Sequence, residues 1–438
     1  MAMMRRMTTA TKTKTMTKTR KRVLLYSHDT YGLGHLRRSL AIAWSVSQHI
    51  PRSRQLLITG SAVAGAFSLP PRLDMVKLPS ISKRSSGAYM PRSLPIPVEE
   101  IIDWRADMIR QAAAHFQPDL VLVDKAPAGA LGELLLTLKF LRVHLPETQI
   151  VLGMRDIEDS PEATRAEWTA AGIYTLLEDV YDAILLYGKR SIFDPVGAYG
   201  LSPETAAKII ECGYICTPGT GRSPRRVRRE LGLLEKPFIL VTAGGGGDGF
   251  PLLDRTLAMF ESGLGQSVQP LFVTGPFMPQ DKRLQLETRG QASGIRVVDF
   301  TPDLTSYLAV ADLVISMAGY NTVCEILTHR RQALLYPRFQ VRQEQHMRAA
   351  RMEELGLVRM LTPEDLEPKR LWAEIHARLN VPPPERIFPM DGLAQATRSL
   401  ATLLQTGKAR TAQTHPVSYL LAGRIHSHGL PGSREPVR

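Results

Sequence analysis

Residues 238–249 read Phe-Ile-Leu-Val-Thr-Ala-Gly-Gly-Gly-Gly-Asp-Gly, and the fold prediction starts from them. The apolar run 238–241 predicts a buried parallel strand, which four consecutive glycines then break. After Pro251, apolar residues recur at helical spacing. A strand, a glycine loop and a helix in this order present backbone N–H groups and a helix N-terminus to a phosphate.

The glycine run matches neither standard phosphate-binding fingerprint. A Walker loop needs a Lys-Ser/Thr pair after the glycines, whereas Gly249 is followed by Phe250 and Pro251. Taken alone, the run is as well explained by a tight turn between a strand and a helix. The functional interpretation depends on other stretches that fit the same site.

Charge is unevenly distributed along the 438 residues, a length that suits two domains. The net charge is +13, but residues 1–22 carry eight basic residues and no acid, and residues 408–438 carry a net +4. The remainder is nearly neutral at +1. We therefore predict disordered or flexible tails at 1–21 and 408–438, and no nucleic-acid-binding core.

The three cysteines, Cys212, Cys216 and Cys324, do not indicate a disulfide framework, so we expect a reducing cytoplasm. Their spacing does not predict a zinc site. No apolar run reaches the roughly 20 residues of a transmembrane helix, and the basic start lacks the apolar region of a secretory signal.

Strand-like and helix-like segments alternate through both halves, which indicates an α/β fold with parallel, doubly wound sheets. The predicted strands are 22–26, 55–59, 119–124, 149–154 and 182–187, then 238–241, 270–274, 295–299, 312–316 and 332–336. The clearest helical patterns are 98–116 and 129–144. We predict two Rossmann-like domains facing each other across a cleft, at 22–210 on the acceptor side and 238–407 on the nucleotide-sugar side, joined by a linker at 211–237.

A second glycine loop follows the first strand, in residues 26–43, YSHDTYGLGHLRRSLAIA. Gly32 and Gly34 precede His35 at a predicted helix start, where the helix dipole depresses the histidine pKa and favours a neutral imidazole. Such a group can accept a proton from a substrate, although a lone histidine is usually structural. Asp156 follows another strand, where ligands bind in such sheets, and capping a helix is the alternative role.

The third such loop lies in residues 316–325, SMAGYNTVCE. Gly319 marks the loop, and Asn321 or Thr322 is placed to cap the next helix. Glu325, one turn further, is expected to face the same crevice, where a carboxylate suits the hydroxyls of a ribose. A further helix start after Pro337 carries Glu344 and Gln345.

These stretches together resemble the family 28 glycosyltransferases of the GT-B fold, the family of the peptidoglycan N-acetylglucosaminyltransferase. The resemblance covers most of residues 22–405 and is strongest over SMAGYNTVCE and Glu344-Gln345. The first-half loop reads TYGLGH and is less glycine-rich than the family pattern. Glu344 replaces a more usual amide, and the loop at 78–97 has no apolar hairpin for a polyprenyl chain, so lipid I is not the expected acceptor.

The resemblance implies a role for each matching residue. The glycine loop approaches the diphosphate or the donor sugar, Phe300 lies beside the base, Thr322 holds a phosphate and Glu325 the ribose. Glu344 and Gln345 bond donor-sugar hydroxyls, and His35 is the candidate base or positioning group beside the acceptor. The donor-side candidates are Gly244, Gly245, Gly246, Gly247, Phe300, Ser316, Gly319, Asn321, Thr322, Glu325, Glu344 and Gln345. The acceptor-side candidates are Gly32, Gly34, His35 and Asp156.

The leading interpretation is a hexosyltransferase that moves a sugar from a nucleotide-diphosphate sugar, UDP-linked, to the hydroxyl of an unidentified acceptor. It needs neither a metal nor a cofactor, because backbone N–H groups and a helix dipole stabilise the leaving diphosphate. A nucleotide-sugar 2-epimerase, to which Glu344 could contribute, and a non-catalytic nucleotide-sugar-binding protein are the alternatives. The arginines at 222–229 favour a solvated hinge helix, with peripheral contact to anionic lipid as the second interpretation. The oligomeric state does not follow from the sequence.

Overall fold

The computed structural model describes residues 20–28, 34–83, 89–217, 219, 221–233, 236–339 and 342–407. Apart from Arg20 and Lys21, the predicted tails at 1–21 and 408–438 lie outside these residues, and so does Gly32.

The first half is built on a parallel sheet of seven strands in the order β3-β2-β1-β6-β7-β8-β9. Strands β1 to β9 are Arg22–Ser27, Arg54–Thr59, Leu73–Lys77, Ile81–Lys83, Tyr89–Pro91, Leu120–Asp124, Gln149–Arg155, Ala183–Tyr187 and Ile209–Glu211. The five strands predicted here are all present. Half-exposed β3 and the three-residue β9 were not predicted, and β4 and β5 form an antiparallel hairpin within the predicted loop at 78–97.

Helices pack on both faces of this sheet. Helices α1 to α7 are Gly34–His49, Val98–Phe116, Leu135–His144, Pro161–Ala170, Ile173–Thr175, Pro195–Tyr199 and Pro203–Ala207. Short 3₁₀ segments lie at Ala64–Ala66 and Ala130–Gly132, and a π-helical segment at Leu176–Val180. The predicted helix at 129–144 is therefore interrupted, because Leu131 takes the left-handed conformation with φ 49°.

The second half carries a sheet of six strands in the order β12-β11-β10-β13-β14-β15. Strands β10 to β15 are Phe238–Thr242, Gln269–Val273, Arg296–Val298, Leu313–Met317, Gln332–Tyr336 and Arg359–Met360. Helices α8 to α15 are Pro224–Glu230, Phe250–Glu261, Gln280–Ala292, Leu304–Leu308, Tyr320–His329, Glu344–Glu354, Pro368–Leu379 and Gly392–Thr406, with a 3₁₀ turn at Glu364–Leu366. The predicted fold of two Rossmann-like domains across a cleft is confirmed.

The last helix of the predicted 238–407 domain contacts the first half, and the domain boundaries themselves stay predictions. Helix α15 was assigned to the 238–407 domain, but it packs on α1 of the first half, where Thr397 Oγ1 donates to Ser45 Oγ over 2.7 Å. At its start, a Cβ on Gly392 would lie 2.3 Å from the carbonyl oxygen of Tyr214. Buried Ala396, Leu400 and Leu404 follow the 3.6-residue period, so this apolar face is covered by the first half.

Candidate functional site

A cleft of about 1060 Å³ lies between the two halves and is lined by residues of both. The carboxyl ends of β1, β6 and β7 form one wall, and those of β10, β13 and β14 form the other. Parallel sheets place their binding crevices at this edge, since the loops that follow the strands converge there.

The glycine loop belongs to the wall of the cleft formed by the second half, called here the second-half wall. All four of its glycines line the cleft: Gly244, Gly245, Gly246 and Gly247. Gly246 has a φ of 92°, and a Cβ there would lie 2.4 Å from the carbonyl oxygen of Thr274, so only glycine fits. Helix α9 begins directly after the loop, at Phe250. The N–H of Gly244 donates to Thr242 Oγ1 and that of Gly246 to the carbonyl of Ala243, each over 3.2 Å. The loop therefore brings the N-terminus of α9 to the cleft, and two of its own N–H groups are used within the protein.

The loop after β13 provides the next part of this wall. Gly319, Asn321 and Thr322 line the cleft at the start of α12. Ser316 does not: it is fully buried within β13, and its hydroxyl donates to the carbonyl of Met317 over 3.1 Å. The prediction that placed Ser316 at the site therefore differs from the structure, because a strand residue at this depth is covered on both faces.

Glu325 also differs from its predicted place. It is 1% exposed and is not among the residues lining the cleft. Its Oε1 accepts a hydrogen bond from Arg37 Nη2 of the first half over 2.5 Å, and burial raises the pKa of this carboxyl despite the nearby guanidinium. One turn into α12, the side chain points at α1 rather than into the cleft, so the carboxylate predicted to hold a ribose joins the two halves instead.

Glu344 and Gln345 line the cleft at the start of α13 and are largely buried. Gln345 Oε1 accepts from the backbone N–H of Arg338 over 3.2 Å. Glu344 Oε1 lies 3.7 Å from Arg338 Nη1, while its buried Oε2 accepts no hydrogen bond from the described residues. Phe300 lines the cleft from the same half, its ring 6.1 Å from that of Phe67 in the first half.

His35 lies on the opposite wall, at the start of α1. Its Nδ1 is 2.6 Å from Asp124 Oδ2 at the end of β6. Arg38 Nη2, which can only donate, also lies 3.2 Å from this Nδ1, but the contact with the carboxylate is shorter. Because the ionised carboxylate only accepts, the shorter contact places the proton on Nδ1 and leaves Nε2 as the acceptor. Burial lowers the pKa of His35 to about 4, outweighing the stabilising contact with Asp124. His35 is therefore neutral near pH 7.

Of the other acceptor-side candidates, Gly34 lines the cleft and Asp156 does not. Asp156 is fully buried, and its Oδ2 accepts from the hydroxyl of Tyr214 over 2.8 Å. A Cβ on Gly188 would lie 2.4 Å from the Cβ of Asp156, so the carboxylate is enclosed by the next strand end. Burial raises its pKa. Its role is to hold Tyr214 in the segment between the halves.

Sequence reasoning missed the partner of His35 and the charges beside it. Asp124 follows four fully buried apolar residues of β6, and such a polar residue at the end of an apolar strand is the signal that could have marked it as part of the site. The adjacent Lys125 has a φ of 67°, and its ammonium lies 2.8 Å from Glu158 Oε2. Arg155 and Arg342 also line this corner. Their proximity depends on the register of three strands, which the sequence alone does not specify.

The described residues offer neither a cluster of metal ligands nor a helix that could cross a bilayer. They contain no group of three or more His, Cys, Asp or Glu side chains placed to hold a metal ion. None of the helices within them combines the length and apolar character needed to cross a bilayer.

The sequence of the second half matches a known protein family. Residues 238–416 match the model of the glycosyltransferase family 28 C-terminal domain. This part of the chain is therefore similar to the C-terminal domain of the family 28 glycosyltransferases. The match includes the glycine loop, the SMAGYNTVCE stretch and the Glu344-Gln345 pair.

Curated relatives extend the likeness over part of the chain. The UDP-N-acetylglucosamine--N-acetylmuramyl-(pentapeptide) pyrophosphoryl-undecaprenol N-acetylglucosamine transferase of Desulfitobacterium hafniense is 27% identical over 200 residues, covering 44% of this chain and 53% of that protein. An uncharacterized glycosyltransferase of Methanosarcina acetivorans is 30% identical over 131 residues, covering 30% of this chain and 32% of that protein. The chain thus spans about half the length, or less, of these relatives.

Solved structures share the fold of both halves. MurG from Acinetobacter baumannii superposes with a TM-score of 0.51 at 15% identity, covering 88% of this chain and 99% of that chain. The calicheamicin glycosyltransferase superposes with a TM-score of 0.56 at 16% identity, covering 90% of this chain and 100% of that one. The fold is therefore that of the GT-B glycosyltransferases.

Proposed function

We propose that this protein is a glycosyltransferase that moves a sugar from a nucleotide-diphosphate sugar, UDP-linked, to an acceptor hydroxyl without a metal. The observation that carries the proposal is His35, which lines the cleft with the glycine loop and is bonded from behind by buried Asp124. The family 28 match of the second half supports it. So does the Desulfitobacterium hafniense relative, whose name specifies a UDP-linked donor.

In this reaction His35 acts as a general base. Its Nε2 takes the proton of the acceptor hydroxyl, and the freed oxygen electron pair forms a bond to the anomeric carbon of the donor. The bond from that carbon to the diphosphate breaks, and the diphosphate leaves with the electron pair. The N–H groups of Gly245 and Gly247 and the N-terminus of α9 meet this developing charge. A single displacement of this kind inverts the anomeric configuration.

The second-half wall supplies the donor contacts of the proposal. Gly245, Gly246 and Gly247 lie against the diphosphate or the sugar, with Thr322 at a phosphate. Phe300 lies against the base. Glu344 and Gln345 receive the sugar hydroxyls, and the free Oε2 of Glu344 is suited to accept from one of them. Glu325 receives no donor contact in this scheme, because it is buried outside the cleft lining and its Oε1 is bonded to Arg37.

A nucleotide-sugar 2-epimerase is the second candidate, and the buried, unbonded Oε2 of Glu344 in the cleft is what favours it. An epimerase needs an acid or base beside the sugar ring, and Glu344 lies on the wall proposed to hold the sugar. The two functions differ in their need for a second substrate: an epimerase converts the nucleotide sugar alone, whereas a transferase needs an acceptor hydroxyl.

The test is calorimetry of the full chain with UDP, GDP, ADP and UDP-linked hexoses, followed by nuclear magnetic resonance of the bound sugar nucleotides with and without a panel of hydroxyl acceptors. We expect selective UDP binding, unchanged by EDTA, and acceptor-dependent release of UDP with inversion at the anomeric carbon. Epimer formation without acceptor would support the epimerase. Binding without turnover would support a non-catalytic binding protein. Failure to bind any of these nucleotides would overturn all three.

A further inference from the structure

Arg38 is a buried cation directly behind the proposed base. It lies one turn after His35 on α1 and is 2% exposed. Its Nε donates to Asp124 Oδ1 and its Nη2 to Asp124 Oδ2, each over 2.7 Å. Two parallel bonds of this kind fix a carboxylate in one orientation. The Asp124 oxygen that contacts His35 is therefore held by Arg38.

The same guanidinium reaches across to the second half of the chain. Its central carbon lies 5.3 Å from the ring centre of Tyr320 and 5.7 Å from that of Tyr187, both within the range of cation–π attraction. Its Nη1 is 3.5 Å from Asn321 Oδ1. Asn321 Nδ2 in turn donates to the carbonyl of Gly34 over 3.0 Å. The start of α12, which lines the nucleotide side of the cleft, is thus bonded to the turn that carries His35.

Tyr320 connects Arg38 with the segment between the two halves. It is buried, and its hydroxyl donates to the carbonyl of Tyr187 over 3.0 Å and accepts from the N–H of Ile215 over 3.1 Å. The guanidinium carbon of Arg348 lies 5.6 Å from the Tyr320 ring. Because Tyr320 contacts both halves and the segment between them, a shift at the start of α12 must move Arg38 or break these contacts.

We propose that Arg38 is a positioning residue that holds the His35–Asp124 pair in its reactive arrangement and ties it to the helix start on the nucleotide side of the cleft. The proposal rests on the proposed function, since the base matters only if a hydroxyl is deprotonated. In it, a nucleotide seated against Asn321 and Thr322 stabilises the position of α12 in which Arg38, Asp124 and His35 are aligned. The two walls of the cleft then act together.

Arg38 also sets the charge around His35. The groups that face His35 are His28 at the end of β1, Asp124 at the end of β6, Arg155 at the end of β7, and Arg38 on its own helix. Asn321 of the second half is neutral. With Arg38 present, the negative charge of Asp124 is offset. Without Arg38, that charge acts on the imidazole alone and favours the imidazolium, which cannot accept a proton.

The test compares Arg38→Met with Arg37→Met in the full chain. Arg37 is the adjacent residue and also lines the cleft, but it pairs with Glu325 rather than Asp124. The pKa of His35 is measured by magnetic resonance of ¹³C-labelled histidine rings, with His35→Gln identifying the signal. We expect Arg38→Met to raise the His35 pKa by one unit or more, about tenfold in the dissociation constant, and Arg37→Met to leave it unchanged.

The second readout is the steady-state kinetics, measured with the donor and acceptor that the binding and acceptor screens identify. In Arg38→Met the acid limb of kcat should move upward by the same amount as the His35 pKa, with a smaller change in the donor KM. An unchanged His35 pKa would overturn the assignment, whatever the rate does. A raised pKa with an unmoved acid limb would remove His35 as the base, which defeats the proposed mechanism but not the linkage.

Arg38→Lys covers the case in which Arg38→Met does not fold, because an unpaired buried Asp124 is strongly destabilising. Lysine keeps the charge but cannot make two parallel bonds. We expect a His35 pKa nearer that of the wild type and a kcat lowered at least about tenfold across the pH range, the loss typical of a misplaced catalytic group. A wild-type kcat in Arg38→Lys would contradict the positioning role.

Discussion

His35 and the proposed donor contacts lie on opposite walls of the cleft, so substitution of His35 should separate rate from affinity. We expect His35→Ala to leave the donor Kd unchanged and to lower kcat about 10²–10⁴-fold, the usual contribution of a general acid–base group. Calorimetry gives the first quantity and product formation the second. His115→Ala, on the exposed side of α2, is the matched control. Near-normal turnover in well-folded His35→Ala would exclude the base role.

The environment of His35 also predicts a pH profile. Burial lowers its pKa from 6.5 to about 4, so the imidazole stays neutral, and able to accept a proton, above that value. Activity should therefore persist through pH 5 to 6 and fall as the pH approaches 4. An acid limb centred near 6.5 would show that the imidazole is solvated in the working enzyme. Rates are compared at constant ionic strength, with circular dichroism confirming the fold at each pH.

Glu325 gives a prediction that differs from the one its sequence position suggested. Glu325→Gln removes the charge partner of Arg37, a buried contact between the halves. We expect the free energy of unfolding to fall by about 3–5 kcal/mol, as when one member of a buried pair is lost, with a smaller change in UDP affinity. Denaturant unfolding and calorimetry measure the two effects. Weakened UDP binding with full stability would return Glu325 to the ribose.

Two truncations test how much the contact of α15 with the first half stabilises the protein. Ending the chain after residue 391 exposes the α1 surface that α15 covers, and should lower the melting temperature by many degrees or prevent folding. Ending it after residue 407 is the control and should leave the melting temperature unchanged, because the described helix is then retained. Equal melting temperatures for the two truncations would show that α15 contributes little.

The regular elements were largely predictable because their local patterns are strong. Strands such as β6 are apolar up to the charged residue at their end, and α2 begins and ends at its predicted residues. Short or half-exposed strands such as β3 and β9 lack that contrast. The partner of α15 was not predictable, since an amphipathic helix shows which face is buried but not what covers it.

The candidate site was predictable where one stretch of backbone defines it, as in the glycine loop and the start of α12. It was not predictable where side chains meet over long separations. His35 and Asp124 are 89 residues apart, and Arg37 and Glu325 are 288 apart. A sequence periodicity places a residue at a strand end or on a helix face, but the pairing of residues from different elements depends on sheet order and on how the halves meet.

The charged corner of the cleft predicts how the folded protein responds to acid. Burial raises the pKa of Glu158, but the opposing effect of Lys125 and then of Arg155 is larger. The net result lowers the pKa of this carboxyl from 4.5 to about 2. Asp124 is likewise held below its usual pKa, because Arg38 and His35 outweigh its burial. Between pH 4.5 and about 2, the Glu158 carboxyl is protonated in the unfolded chain but still ionised in the folded one. The stability that this group contributes above about pH 4.5 is therefore lost as the pH falls toward 2.

Thermal unfolding across pH 3 to 6 measures this loss, with Glu158→Gln as the variant. The variant should be less stable than the wild type at pH 6, and the difference should narrow as the pH falls through the titration of Glu158. A difference that stays constant with pH would show that the Glu158 carboxylate titrates normally in the folded state.

The return of α15 to the first half bears on how this chain can be recombined with its relatives. A chimera that takes residues 238–407 as one block would bring in a foreign helix to cover the native α1, with neither surface matched to the other. A chimera in which the segment from the relative replaces only residues 238–391 instead keeps the native α15 on the native α1. We expect the second junction to give soluble hybrids with the nucleotide preference of the inserted segment, which makes residue 391 the natural crossover point for exchanging donor specificity.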